Sequence, residues 1–289
     1  MTVRFSLMNC FNSHRFMIFL DLDETIFDHN ERSHQAFHAL EAYLKYLKNY
    51  YYISYGVVTG CNQEEAQRKL NELDMSLFPD FVALGFGTDI YYYHANQYFH
   101  DVEWNQLHQL TFKKEEINAV LRALKNQNIH LVKEDRSDNP LKESYYYFIG
   151  DSEVTTHEER ANLRLIKLLA NKHHLKVVIS KCNQNIGDPM NAYDIDFIPI
   201  TSGKEKAAQY LTRKFHVDKN NTFGFGDSEN DLALLKYCAH GYAVSNATTN
   251  LKHYIQKVCK HHHAQGVHEV LQQHFENILL FNKKEFYEY

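Results

Sequence analysis

The stretch Phe16-Met17-Ile18-Phe19-Leu20-Asp21-Leu22-Asp23-Glu24-Thr25 decides the fold. Five consecutive apolar residues without alternation read as a strand buried on both faces, as in a parallel sheet. Asp21 and Asp23 fall just past its end, at the carboxyl edge where open α/β sheets bind ligands. Two carboxylates there repel each other unless a cation or a phosphate-handling role holds them together.

Outward from this run the chain alternates strand and helix patterns. Tyr52–Val58, Phe81–Leu84, Thr222–Phe225 and Tyr242–Val244 are short apolar runs. Phe37, Leu40, Leu44 and Leu47 recur at helical spacing, and Glu64–Leu70 is polar and helix-forming. Leu232, Leu234, Leu235 and Tyr237 mark a helix after Gly226, and Val270, Leu271, Phe275, Ile278 and Leu279 mark another. This alternation predicts a Rossmann-like α/β core with a parallel sheet.

The middle of the chain follows a different pattern. A helix marked by Ile117, Val120, Leu121 and Leu124 precedes strand-like Ile129–Val132 and Ser144–Ile149. A helix marked by Leu163, Ile166, Leu169 and Ala170 precedes Leu175–Ile179 and Tyr193–Ile200. Helix-strand-strand twice over predicts an inserted α+β domain with an antiparallel sheet. The expected division is an irregular lead-in at 1–15, a core of 16–99 and 197–289, and an insert at 100–196.

Composition excludes several classes. The chain has 289 residues, 44% of them hydrophobic and 14% aromatic, enough for a sizeable core. A net charge of −5 gives no basic footprint for nucleic acid, and no apolar stretch is long enough for a membrane span. Five widely spaced cysteines with no C-x-x-C pair point to reduced thiols and a cytoplasmic protein. Monomer and dimer both remain open.

Three further signals accompany the acidic pair, in order along the chain. Val57-Val58-Thr59-Gly60 ends a strand with a hydroxyl and a glycine. Thr201-Ser202-Gly203-Lys204 places a lysine at an expected helix start. Gly226-Asp227-Ser228-Glu229-Asn230-Asp231 ends another strand and opens a helix with two more carboxylates.

This set resembles the haloacid dehalogenase superfamily of phosphohydrolases, over nearly the whole chain from about Phe16. The insert looks like the larger C2-type cap of the sugar-phosphatase branch. Glu24, and the string Gly187-Asp188-Pro189, Tyr193–Ile200 and Gly203-Lys204, are similar to the kanosamine-6-phosphate and, more loosely, sucrose-phosphate phosphatases.

The resemblance implies roles that also make chemical sense. Asp21 is the expected nucleophile, forming an aspartyl-phosphate. Mg²⁺ held by Asp21, the main-chain carbonyl of Asp23 and Asp227 offsets charge, with Asp231 beside the ion or steadying Lys204. Asp23 is the general acid, then the base for water. Thr59, Gly60, Lys204 and Asn230 are expected to hold the phosphoryl group. Glu24 replaces the superfamily's usual glycine, which implies either an ordinary φ or a side chain turned from the site. Asp28 and His29 have two readings, a contact to the substrate or a solvated loop, and the loop is favoured.

In the insert, Lys181, Asn183 and Asp188 have two readings of equal standing: contacts to sugar hydroxyls or an amino group, or a surface loop of turn formers. His261-His262-His263 reads as a solvated helix end rather than a zinc site. The tyrosine triplets at 50–52, 91–93 and 145–147 read as strand and packing residues, and Trp104 as packing. The expected function is a Mg²⁺-dependent phosphomonoesterase acting on a small sugar or amino-sugar phosphate, binding neither nucleic acid nor membrane. The alternatives are a phosphotransferase or phosphomutase on the same scaffold, or a non-enzymatic sugar-phosphate sensor or synthase partner.

Overall fold

The computed structural model describes residues 16–30, 34–134, 139–150, 156–182 and 187–287, with side chains up to 277. The expected lead-in at 1–15 and Asn183 therefore lie outside the described residues. The chain folds into two compact units. One draws on residues up to Val57, Gln67–Asp80 and Gln209 onward, the other on Val58–Ala66 and Phe81–Ala208.

The first unit contains the parallel sheet. β1 (Phe16–Leu20) lies between β2 (Ile53–Val58) and β10 (Thr222–Gly226), and β10 pairs in turn with β11 (His240–Ala243), all parallel. All five residues of β1 are buried, as an unbroken apolar run requires. Removing such side chains from water stabilises by roughly 1.5–3 kcal/mol each. α1 (Gln35–Tyr51) buries Phe37, Leu40, Leu44 and Leu47, the stripe read from their spacing. It also buries Glu41, whose carboxylate accepts from the Ser76 and Leu77 N–H groups and the Ser76 hydroxyl. The expected strand start at Tyr52 is corrected. Tyr50 and Tyr51 close α1, and Tyr52 ends it with φ 53° before β2 begins at Ile53.

α2 (Gln63–Glu72) follows β2. α7 (Leu232–Tyr237) follows β10 through a 3-10 turn at Glu229–Asp231, and α8 (Thr249–Tyr254) and α9 (His263–Tyr287) end the chain.

In the second unit, β3 (Phe81–Leu84), β4 (Asp89–His94) and β5 (Gln97–His100) are antiparallel. Ala95 and Asn96, both at positive φ, form the two-residue turn between β4 and β5. α3 (Val102–Gln109) is capped by Asp101, which accepts from the Trp104 N–H at 3.0 Å. α4 (Lys114–Lys125) and α5 (His157–Lys172) then alternate with β6 (Val132–Lys133), β7 (Glu143–Phe148), β8 (Leu175–Lys181) and β9 (Ala192–Pro199). These strands form one antiparallel sheet in the order β6-β7-β9-β8. The helix-strand-strand repeat is present. The expected strand at Ile129–Val132 shrinks to Val132–Lys133, because Ile129 and Leu131 pack into the core from a loop instead of pairing.

Tyr145, Tyr147, Ile195, Phe197, Leu175 and Val177 pack against the apolar faces of α4 and α5. Alternation along the strands sends Asp194 and Asp196 to the opposite face. α6 (Lys204–Lys214) begins at the expected lysine. Trp104 is buried, donates to the Gly87 carbonyl and lies edge-on to His108, in agreement with a packing role. Among the described residues no helix is long and apolar enough to cross a membrane.

Candidate active site

The register of β1 and β10 pairs Leu20 with Phe225, so the residues after both strands emerge at one edge. Asp21 continues the ladder by one bond, its N–H donating to Phe225 O at 3.0 Å. Asp227 and Asp231 flank the turn after β10. Oxygens of Asp21, Asp227 and Asp231 lie within 4.8 Å of one another. Asp21 and Asp231 are buried, at 4% and 0% exposure.

The backbone holds this trio in place. Asp231 Oδ2 accepts from the N–H groups of Asp227 and Ser228 at 3.1 and 3.3 Å. Gly226 makes that possible, since a Cβ there would collide with the Asp231 carboxylate. The donors are all hard carboxylate oxygens, the set Mg²⁺ prefers. Of the four residues expected at the metal, Asp21, Asp227 and Asp231 are brought together by their side chains.

Asp23 takes a separate place. Its Oδ1 accepts from Lys69 Nζ at 2.6 Å and from His29 Nε2 at 2.8 Å. Lys69 is not marked as a site residue by the sequence, whereas His29 is marked only as a loop residue within reach of substrate. His29 is only 15% exposed at its side chain, which corrects the solvated-loop reading.

The turn carrying Asp23 is closed by hydrogen bonds from Ile26 and Phe27 N–H to Leu22 O and from Glu24 N–H to Phe27 O. Glu24 has φ 54°, so an ordinary φ is excluded: the glutamate occupies the left-handed conformation that glycine favours. Its carboxylate meets His263 Nε2 at 3.0 Å, and Asp28 meets His263 Nδ1 at 3.2 Å. Asp28 is therefore also paired. His263 uses a different ring nitrogen for each carboxylate. Asn246 completes the tie by donating to Glu24 O while accepting from His263 N–H. His261 is paired with Glu269 at 2.6 Å, while His262, just before α9, is exposed.

Asn230 lies in the 3-10 turn with its Oδ1 buried and without a hydrogen-bond partner, as is Thr25 Oγ1. An unsatisfied buried acceptor is costly.

In the second unit, Thr59 is buried and its hydroxyl accepts from Cys61 N–H at 3.1 Å. Bonds between Thr59 N and Ala83 O, and between Phe86 N and Thr59 O, fix the backbone here. Gly60 lies against the Phe86 ring, where a Cβ would not fit. Lys204 is 3% exposed at the first position of α6.

Of the insert's expected substrate contacts, Lys181 and Asp188 are among the described residues. Lys181 is exposed at the end of β8. Asp188 joins Cys182 and Asp194 in a group whose ligand atoms lie within 4.8 Å of one another. Burial, then Asp188 and Asp196, push the Asp194 carboxyl up to about 7. Asp196 accepts from the Ser144 hydroxyl at 2.5 Å and pairs with Lys142 at 3.4 Å.

An α/β fold with this acidic edge defines a phosphatase of the haloacid dehalogenase type. The chain belongs to the sucrose-6F-phosphate phosphohydrolase family, which it matches over residues 14–276. It is 28% identical to kanosamine-6-phosphate phosphatase of Bacillus subtilis (strain 168) over 263 residues, 90% of this chain and 92% of that one. A haloacid dehalogenase-like hydrolase structure from Bacillus subtilis aligns with a TM-score of 0.69 at 29% identity, covering 90% of this chain and 92% of its own. The sucrose-phosphatase of Synechocystis sp. PCC6803, solved with sucrose and phosphate, aligns with a TM-score of 0.70 over 91% of this chain and 99% of its own. At 21% identity that likeness concerns the fold.

Proposed function

We propose that this phosphatase hydrolyses the phosphate monoester of a small sugar or amino sugar through an aspartyl-phosphate on Asp21. The observation that carries the reading is the convergence of Asp21, Asp227 and Asp231, with Asp23 two residues on in a separate hydrogen-bonded setting. Identical roles would not call for such different surroundings.

Asp21, Asp227, Asp231 and the Asp23 main-chain oxygen would hold Mg²⁺, whose charge offsets that of the phosphate and the nucleophile. An Asp21 oxygen attacks phosphorus, and the P–O bond to the sugar breaks. Asp23 gives its proton to the departing alcohol oxygen. It then takes a proton from the water that attacks phosphorus, which releases phosphate and restores Asp21. Thr59, Gly60, Lys204 and the Asn230 side chain hold phosphoryl oxygens, the lysine countering charge in the transition state. Residues 100–196 serve as the cap that selects the sugar. Relatives named for kanosamine 6-phosphate and sucrose phosphate support a sugar substrate, and the carboxylates around Asp194 suit an amino group.

The test is phosphate release from a panel of hexose, amino-hexose, disaccharide and nucleotide phosphates, with Mg²⁺ or EDTA. Selective, Mg²⁺-dependent release from a sugar or amino-sugar phosphate is expected. Negligible release from every member would overturn the reading and favour a mutase or a sensor.

A further inference from the structure

Lysine is almost never buried unless it is paired, and Lys69 is 6% exposed. It lies on α2, on the same face as buried Ala66 and Leu73, the spacing at which an apolar residue would pack. Taking an ammonium out of water costs several kcal/mol. A well-packed apolar residue at such a place often stabilises a fold as well or better. The side chain reaches 46 residues back along the sequence, to Asp23 Oδ1 at 2.6 Å. His29 approaches the same oxygen at 2.8 Å from the loop that follows Asp23.

Both donors converge on one carboxylate oxygen. A carboxylate held by a single donor still swings about its Cβ–Cγ bond. Two donors from different elements fix where Oδ1 lies, and with it the plane of the group. That matters for this residue more than for the metal-site carboxylates. Proton transfer requires heavy-atom distances of about 2.6–3.2 Å at the moment the leaving oxygen departs. A misplacement of about 1 Å can cost about a hundredfold.

We propose that Lys69 is a positioning residue for the hydrolytic reaction, aided by His29. Lys69 touches neither the phosphate nor the sugar. It acts by holding the Asp23 carboxyl where the leaving alcohol and then the attacking water will be. The inference rests on Asp23 being the proton donor, as proposed above, and adds to it the two side chains that aim the group.

The two claims separate with leaving groups of different basicity. A sugar alkoxide needs a proton to depart, whereas p-nitrophenolate does not. kcat/KM reports steps up to loss of the leaving group, so kcat/KM for a hexose phosphate and for p-nitrophenyl phosphate is measured on Lys69→Met, Lys69→Arg, His29→Gln and Asp23→Asn. Lys69→Met keeps the volume and apolar stem and is expected to fold, which thermal unfolding checks. It should lower kcat/KM for the hexose phosphate by roughly tenfold or more, and for p-nitrophenyl phosphate by less than about threefold. Lys69→Arg should recover part of the loss. His29→Gln should show a smaller version of the same split, and carries the test if Lys69→Met does not fold. An equal fall on both substrates, or no fall, in a folded Lys69→Met overturns the positioning role while Asp23→Asn still splits the two substrates. If Asp23→Asn itself fails to split them, the assignment of Asp23 falls first and the role of Lys69 falls with it.

Discussion

His263 Nε2 lies 3.0 Å from Glu24 Oε2, although 239 residues separate the two in the chain. The contact ties the turn after β1 to the start of α9, and Asn246 braces it from the side. Glu24 sits there at φ 54°, a conformation that costs a non-glycine residue roughly 1–2 kcal/mol. The pair with His263 offsets that cost. Glu24→Ala keeps the strain and loses the contact, so it should be the less stable of two variants. Glu24→Gly loses the contact and the strain together, and should exceed Glu24→Ala by about 1 kcal/mol in urea unfolding. Equal stability of the two would show that φ at this position carries no cost.

Gly226 lies under the Asp231 carboxylate with no room for a Cβ. Gly226→Ala should displace Asp231 and lower stability by about 1–3 kcal/mol. Mg²⁺-dependent turnover should fall further than stability accounts for. Activity equal to wild type in a folded variant would mean that Asp231 does not need its present position.

Removal of the metal should show in stability as well as in turnover. If Asp21, Asp227 and Asp231 hold Mg²⁺, a free concentration about a hundredfold above Kd stabilises the protein by about 2.7 kcal/mol. Thermal unfolding should therefore shift upward with Mg²⁺, return to baseline with EDTA, and respond weakly or not at all in Asp227→Asn. A full Mg²⁺ shift in Asp227→Asn would remove that residue from the site.

Asp194 predicts a pH effect of definite sign. Its carboxyl is pushed up to about 7 by burial, then by Asp188 and Asp196, with Glu134 adding to the effect and a hydrogen bond from Cys182 opposing it. A carboxyl with a raised folded-state pKa binds protons more tightly folded than unfolded. Its contribution to stability is fully present below the unfolded pKa of about 4 and is lost as pH rises towards 7. Asp194→Asn should remove this slope and raise stability at pH 8 by on the order of 1–2 kcal/mol. A variant whose stability falls with pH between 4 and 7 just as wild type does would place the titration elsewhere.

What was legible in the sequence follows from which interactions are local. β1 and the buried face of α1 could be read because an unbroken apolar run and a 3.6-residue stripe are patterns along the chain. The hairpin β4–β5 went unread because Ala95-Asn96 is not a strong turn dipeptide and β5 is exposed at every residue. α3 also went unread, since its eight residues offer little apolar period and its clearest signal is the cap Asp101. At the site, the acids Asp21, Asp227 and Asp231 announced themselves by following apolar runs. Lys69 and His263 did not, because each is defined by a partner distant in sequence, and His29 was legible only as a loop residue near the acids. One signal for Lys69 was present: a lysine in register with Ala66 and Leu73, on the face where an apolar residue belongs.

The most direct test of the account is whether Asp21 carries the phosphoryl group. Asp23→Asn enzyme, given p-nitrophenyl phosphate and Mg²⁺ and quenched in acid, can form the intermediate but lacks the base that clears it. Peptide mass spectrometry should find one phosphoryl group on Asp21 and none in the Asp21→Asn, Asp23→Asn double variant. Release of nitrophenol with Asp21 unmodified, or turnover by a clean Asp21→Asn preparation, would contradict the account.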